Sequence, residues 1–406
     1  MTKNTFNRRD FIRSTGLLAG GYFLQGFSNL TLRVTNTSQY KAAVIGRTGA
    51  GNYGHELDAV FNDVDNIDVV AVADVDKAGA RKAARRSGAE AIYTDYREML
   101  MKERPDLVCV AMRHPQWHKE IALEAIKVGA HLYIEKPMTE YPAEAYSIVQ
   151  AAEEKNLKIG VAHHRRYMKE FLGLKKLLED GLIGEILEIR CYGKQDRRVG
   201  GEDLIVLGTH GLDYMRYLLG DPIWCSASVT VNGKDIQPSD VQKGYEPYLV
   251  AGDTVRAQYA FPGNIHGYWS SIKTGDQWNN SARAPHDPLE DRQKWGFDIF
   301  GTKGIVYYRS NDEIKVLRTP YPAPGVEHVG WYKAEIEKLS IPKHQTHPIR
   351  SLLHAIEHDT EPQCSGKDGR WAIEMVSAVY QSQIQGKRIA FPLNDRQHPL
   401  VEFKNK

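Results

Sequence analysis

The sequence is poor in the features that would take it out of the ordinary globular class. It holds four cysteines in 406 residues, Cys109, Cys191, Cys225 and Cys364. They lie far apart with no Cys-x-x-Cys pair, which argues against a disulfide framework and against a metal site; Cys109 stands in the apolar run Leu107–Ala111, where a cysteine is a small hydrophobe. Excess charge of either sign is missing, since 53 Lys+Arg against 51 Asp+Glu give +2. Residues 1–35 hold Lys3, Arg8, Arg9, Arg13 and Arg33 against Asp10 alone, a local +4 that leaves −2 for the rest. Such a body lacks the broad basic surface that nucleic-acid binding draws on, and no nucleic-acid partner is expected. No internal repeat or low-complexity tract is present. The longest weakly apolar stretch, Gly16 to Phe27, is broken by Gly20, Gly21 and Gln25 and is too short for a stable membrane anchor. What is there is average: 42% hydrophobic, 26% charged and 10% aromatic residues exclude disordered and fibrous classes. The length suits about two domains plus an additional segment.

That segment is N-terminal. Asn7-Arg8-Arg9-Asp10-Phe11-Ile12-Arg13 places paired arginines before an aromatic and an aliphatic residue, ahead of the Gly16–Phe27 stretch, and resembles a twin-arginine export signal. Residues 1–35 are therefore expected to be an address, and the folded protein periplasmic. This route carries folded proteins, which suits an enzyme that must acquire its cofactor before export.

From Tyr40 the pattern becomes regular. Tyr40–Gly46, Ile67–Asp74, Asp106–Ala111, His131–Glu135 and Lys158–Ala162 read as short buried strands. Helices are predicted over His55–Asn62, Lys77–Ser87, Trp117–Val128 and Ala143–Lys155. Alternating strands and helices mean parallel βαβ units. From Glu185 onward, period-two alternation in Ile186–Tyr192 and Thr254–Phe261 indicates antiparallel strands, so a boundary falls near 162. The Trp- and Pro-containing stretch 273–295 reads as a long loop.

Two motifs carry chemistry. In Gly46-Arg47-Thr48-Gly49-Ala50-Gly51-Asn52-Tyr53-Gly54, the glycines Gly49, Gly51 and Gly54 fit G-x-G-x-x-G between a strand and a helix, twenty residues before Asp74. Such a turn lets backbone approach a pyrophosphate, which makes Gly46, Thr48 and Tyr53 cofactor neighbours as well. Asp74 is placed to accept from a ribose, and no Arg or Lys directly follows it, so NAD is favoured over NADP. The second motif, Glu135-Lys136-Pro137, ends the fourth strand at the carboxyl edge of the sheet, where ligands of such folds bind.

Together with Pro115, His118, Arg166 and Gly181-Leu-Ile-Gly184-Glu185, these motifs resemble the Gfo/Idh/MocA family of glucose–fructose oxidoreductase and inositol dehydrogenase, over roughly residues 40–395. The resemblance implies an α/β protein: a Rossmann domain over 40–162, then an α/β domain with a large, mostly antiparallel sheet over 163–395, whose tail helix at about 371–385 associates with the first domain. It implies that Pro115, His118 and Glu135 adjoin the cofactor and that Lys136 hydrogen-bonds a sugar hydroxyl beside the nicotinamide. The family's second motif places an aspartate four residues before a histidine. Here the histidine is His210 and the aspartate's place is taken by Val206. His210 is expected to be the general base, with Asp213 or Asp203 as substitute partner. Arg166, His164 and Arg197 are expected to contact substrate. His163 and Arg198 are weaker candidates, Trp269 and Trp278 are expected to pack, and His354 and His358, one turn apart, read as a surface pair.

The expected function is an NAD-dependent oxidoreductase acting on a carbohydrate or glycoside hydroxyl, with tightly held cofactor because an exported enzyme meets no evident free pool. Two alternatives stand beside it. One is a redox-neutral enzyme that transiently oxidises a sugar to a ketone and cleaves a glycosidic bond by elimination. The other is a sugar-binding pseudo-oxidoreductase, a reading that Val206 keeps open. By analogy with the family, a homodimer or homotetramer is expected.

Overall fold

The structure is a computed structural model that describes residues 40–194, 198–273, 295–309, 314–318, 330–336 and 339–406. The expected export address, Arg197, Trp278 and most of the expected long loop lie outside these residues.

Six parallel strands form the first sheet: β1 (Tyr40–Ile45), β2 (Ile67–Ala73), β3 (Ala91–Tyr93), β4 (Leu107–Val110), β5 (His131–Ile134) and β6 (Ile159–Val161), in the order β3-β2-β1-β4-β5-β6. Their residues are almost continuously apolar because helices cover both faces. One face packs Ile121, Ala122 and Ile126 of helix His118–Lys127 with Ala145 and Ile148 of helix Pro142–Glu153. The other packs Ala83 and Ala84 of helix Lys77–Ser87 with Ile349, Leu352 and Leu353 of helix Pro348–His358, so a late segment of the chain completes this domain. Helix Lys77–Ser87 shows why these segments are helical. Asp76 caps it by accepting from Gly79 N at 2.6 Å, Arg85 and Arg86 occupy its last turn, and Gly88 ends it at φ 76°.

The helix expected over His55–Asn62 is absent. Gly54 and Glu56 both take left-handed backbone, at φ 54° and 62°, and only a 3-10 turn, Leu57–Ala59, follows. A left-handed non-glycine residue at the start of a helix breaks its hydrogen-bond run.

The second sheet has ten strands among the described residues, and its spine runs Gly304–Arg309, Gly296–Gly301, Ile186–Tyr192, Ile265–Ser271, Thr254–Phe261, Trp224–Val231. The pairing of Ile265–Ser271 with Ile186–Tyr192 is parallel, and the neighbours along the rest of this spine are antiparallel. Helix Gly366–Gln385, opened by a Ser365/Asp368 capping box, bridges the two sheets. Ser365 makes a β-bridge with Gly160, Gly366 and Gly369 lie flush against Ile159 and Val161, and farther along the helix packs on strand Trp224–Val231. All four cysteines are free and buried.

Candidate active site

The strand order reverses between β1 and β4, and a crevice opens there at the carboxyl ends. The glycine turn after β1 is a narrow hairpin: Arg47 N donates to Asn52 O at 3.0 Å, Ala50 N to Arg47 O at 3.0 Å, and Gly49 N to Asn52 Oδ1 at 3.0 Å. Its glycines have separate reasons. A Cβ on Gly51, at φ 79°, would meet Arg113 N at 2.7 Å, and one on Gly54 would meet Ala111 O at 2.8 Å, so both let the turn lie against the end of β4. Gly46 makes room for the Tyr53 ring, which would overlap any side chain there. With no long helix following, the donors on offer to a pyrophosphate are the backbone N–H groups of the turn rather than a helix terminus.

Asp74 organises this turn. Its carboxylate accepts from Thr48 N at 2.9 Å, Thr48 Oγ1 at 2.8 Å and Asp76 N at 2.9 Å. The buried Tyr53 hydroxyl has no hydrogen-bond partner, and burial followed by the charge of Asp74 pushes its pKa up. A cavity of about 370 Å³ adjoins Asp74 and is lined by Gly46, Arg47, Thr94, Arg97 and Trp117, with the Arg47 guanidinium 4.2 Å from the Trp117 ring centroid. A cavity walled by a charged acceptor and by aromatic and cationic surface fits the adenosine half of a dinucleotide.

Across the crevice, β5 delivers Glu135 and Lys136. Glu135 is fully buried, with Oε1 2.5 Å from His55 Nδ1. Lys136 is buried and its Nζ donates to the carbonyl of Val206 at 3.2 Å. That carbonyl is presented by a π-helical turn, Leu204–Gly208, just before helix Thr209–Leu219, while the Val206 side chain joins the apolar core. Wide turns of this kind loosen the usual carbonyl pairing and gather at functional sites. The residue that lacks the family's carboxylate therefore supplies a main-chain oxygen to the lysine.

His210 follows the π-turn and meets two other imidazoles edge-on, His164 at 5.0 Å and His163 at 5.3 Å between centroids. Its Nδ1 is buried without a partner. Burial first, then the charges of Lys136, His163, His164 and Arg165, hold its pKa well below the ordinary value, which favours the neutral imidazole. Desolvation, then the charges of Arg165, Lys136, His55 and His163, bring His164 down to about 3. Burial also lowers Lys136, against the opposing field of Glu135 and Glu246.

Other expected residues stand elsewhere. The Arg166 guanidinium is buried in an ion cluster, bonding both Asp213 oxygens at 2.8 Å and Asp368 at 3.2 Å, and faces away from a substrate role. Asp213 is thereby committed to Arg166 instead of His210. Asp203 accepts from Ser271 Oγ at 2.7 Å. His118 is a buried strut, with Nε2 2.7 Å from Met112 O and Nδ1 3.1 Å from Met138 O, holding the Glu-Lys-Pro segment to the end of β4 rather than facing the crevice. Pro115 opens the 3-10 turn before that helix. Trp269 packs beneath Gly208 and Gly211. His344, His354 and His358 stack in parallel at 4.2 Å, and no group of metal-ligating geometry occurs among the described residues. Sequence reasoning missed His55 and Arg165; the adjacency of each to a motif, Gly54 in one case and His164 in the other, is the only signal it offered.

A parallel nucleotide-binding sheet, a lysine at its carboxyl edge and a histidine brought over by a second sheet define a two-domain dinucleotide-dependent oxidoreductase. The family models agree. Residues 40–163 match the oxidoreductase family's NAD-binding Rossmann fold and residues 175–391 its C-terminal alpha/beta domain. The chain belongs to the Gfo/Idh/MocA oxidoreductase family. Among curated relatives, it is 22% identical to D-apiose dehydrogenase of Paraburkholderia graminis, covering 92% of this chain and 95% of that protein. It is 27% identical to D-glucoside 3-dehydrogenase of Escherichia coli, covering 87% and 98%. The structure of a levoglucosan dehydrogenase in complex with NADH and levoglucosan superposes with a TM-score of 0.66 at 21% identity, over 87% of this chain and all of that one.

Proposed function

We propose that the protein oxidises or reduces a secondary hydroxyl of a carbohydrate or glycoside, using NAD held in the crevice. The observation that carries this reading is the convergence of Lys136, at the end of a first-sheet strand, and His210, on helix Thr209–Leu219 of the second domain, through the Val206 carbonyl. NAD, when bound, supplies a hydride acceptor or donor; the turn 46–54, Asp74 and the Arg47–Trp117 wall would hold it. The protein's own steps are proton steps. The Lys136 ammonium polarises the reacting hydroxyl, and the neutral His210 imidazole takes its proton at the ring nitrogen left without a partner. The field of Glu135, which His55 clamps beside the lysine, offsets part of the lysine's desolvation.

The curated relatives named above are sugar dehydrogenases, and this supports the substrate class. Lys136→Ala and His210→Ala should each lower turnover about 10²- to 10⁴-fold on an aldose, polyol and aryl-glycoside panel while bound nucleotide is retained. Near-full activity of His210→Ala would remove it as the base. Glycoside cleavage without net NADH in the same assay would select the redox-neutral reaction, and sugar binding without either signal the non-catalytic one.

NAD is preferred to NADP because Asp74 sets a negative charge at the end of β2. Asp74→Asn keeps the side chain's size and one of its two acceptor oxygens and removes the charge, so NADP affinity should rise relative to NAD; an unchanged ratio would place the discrimination elsewhere. The protein is exported to the periplasm on its Arg8-Arg9 signal and works as a homodimer or homotetramer. Arg8-Arg9 replaced by Lys-Lys should leave the precursor in the cytoplasm, and sedimentation reads the oligomer.

A further inference from the structure

Arg165 takes no part in the proton steps above, yet it stands beside them. It lies on the turn His164–Tyr167, next to the histidine whose ring meets His210. Its guanidinium sits 3.7 Å from the Trp295 ring centroid and 5.6 Å from that of Phe171, half-buried on a floor of buried aromatics. Its hydrogen bonding is one long contact, Nη1 to the Tyr308 hydroxyl at 3.4 Å. Among the described residues no carboxylate pairs with it. Neighbouring arginines differ: Arg166 has Asp213 and Asp368, Arg309 has Asp298, and Arg198 has Glu246 at 3.5 Å. The acids of the cleft are thus already engaged, Glu135 by His55 and Glu246 by Arg198. A desolvated guanidinium without a counterion is costly to keep, and its planar fork matches a carboxylate on two parallel N–H bonds.

We propose that Arg165 recognises a carboxylate on the substrate, so that the sugar is an anionic one, a uronic acid or uronoside, anchored at Arg165 with its reacting hydroxyl at Lys136 and His210. This rests on the oxidoreductase reading for the position of the hydroxyl, but not for the anion pocket itself. A negative charge at Arg165 also relieves the repulsion that Arg165 and Lys136 exert on a protonated His210, and so makes the base stronger when the correct substrate is present.

Calorimetric titration of the full-length, nucleotide-loaded protein tests it, with methyl β-D-glucuronide and methyl β-D-galacturonide against the matching uncharged glucoside and galactoside. One uronide should bind about 10- to 100-fold more tightly than its neutral counterpart, the range expected of a charge-assisted pair. Arg165→Gln should abolish that preference and Arg165→Lys should keep part of it. Should the glutamine variant fail to fold, the wild-type preference alone decides, since it must exist and must shrink with added salt. No preference for either uronide, or one that survives Arg165→Gln, overturns the proposal. Nicotinamide absorbance is read on the same samples: tight, Arg165-dependent uronide binding without hydride transfer would keep the anion pocket and remove the oxidoreductase reading.

Discussion

Two neighbouring arginines show how differently one residue type is used. Arg166 resembles a family position, and that much is legible in the sequence. Its partners are not, because Asp213 lies 47 residues away and Asp368 202 residues away, beyond the reach of any local pattern. Removing one side of this cluster leaves the other charge buried, so Arg166→Ala or Asp213→Ala should cost about 3–5 kcal/mol in denaturant unfolding. Arg166→Ala should lower turnover only as far as it lowers the folded fraction, whereas Lys136→Ala should do the reverse: small loss of stability, large loss of turnover. A Lys136 variant that unfolds while Arg166→Ala remains stable would invert the two assignments.

Among elements, what was legible follows periodicity. Five of the six strands of the first sheet and helix Lys77–Ser87 stand where their apolar spacing and caps place them, as does strand Thr254–Phe261, whereas the three-residue edge strand Ala91–Tyr93 is too short to show a period. The site's irregular parts were not legible, because they answer to tertiary contacts. The chain after Gly54 is turned away from a helix by left-handed residues that let Gly51 and Gly54 lie against β4. Gly51→Ala should therefore weaken nucleotide binding at least tenfold by titration, since both the φ of 79° and the approach to Arg113 N forbid a Cβ. The π-turn was equally invisible: from sequence, Val206 is only a missing carboxylate. With its side chain in the apolar core, Val206→Asp should not restore a catalytic dyad but bury an unpaired acid, with a loss of about 1–3 kcal/mol and no gain in turnover. Improved activity with intact stability would show that the side chain, and not the carbonyl, faces the lysine.

For the whole molecule, the buried histidines set the response to acid. Burial holds His118, His163 and His210 below their ordinary pKa, as it does the half-buried His131. Unfolded, each titrates near 6.5. Below that pH the unfolded chain takes up protons the native state refuses, so stability is complete above about 6.5 and falls on acidification, by up to about 1.4 kcal/mol per pH unit for each histidine. Glu144, raised to about 7 by burial and then by Glu140, runs the other way between 4.5 and 7, as do Glu140 and Asp58, raised by burial, but the lowered histidines, His398 at about 4 among them, outnumber these three acids. The Tm should be several degrees lower at pH 5.5 than at pH 7.5; an equal or higher value would mean that these histidines are protonated in the native state. The helix Gly366–Gln385 bears on the same molecule at another moment, its synthesis. Because it completes the packing of both sheets, and Pro348–His358 closes a face of the first, neither sheet has its full set of neighbours until residues 348–385 have been made. During synthesis one face of the first sheet is covered by His118–Lys127 and Pro142–Glu153 while the other is completed only by Pro348–His358, so the packing of the first domain cannot be finished before the second sheet has been made.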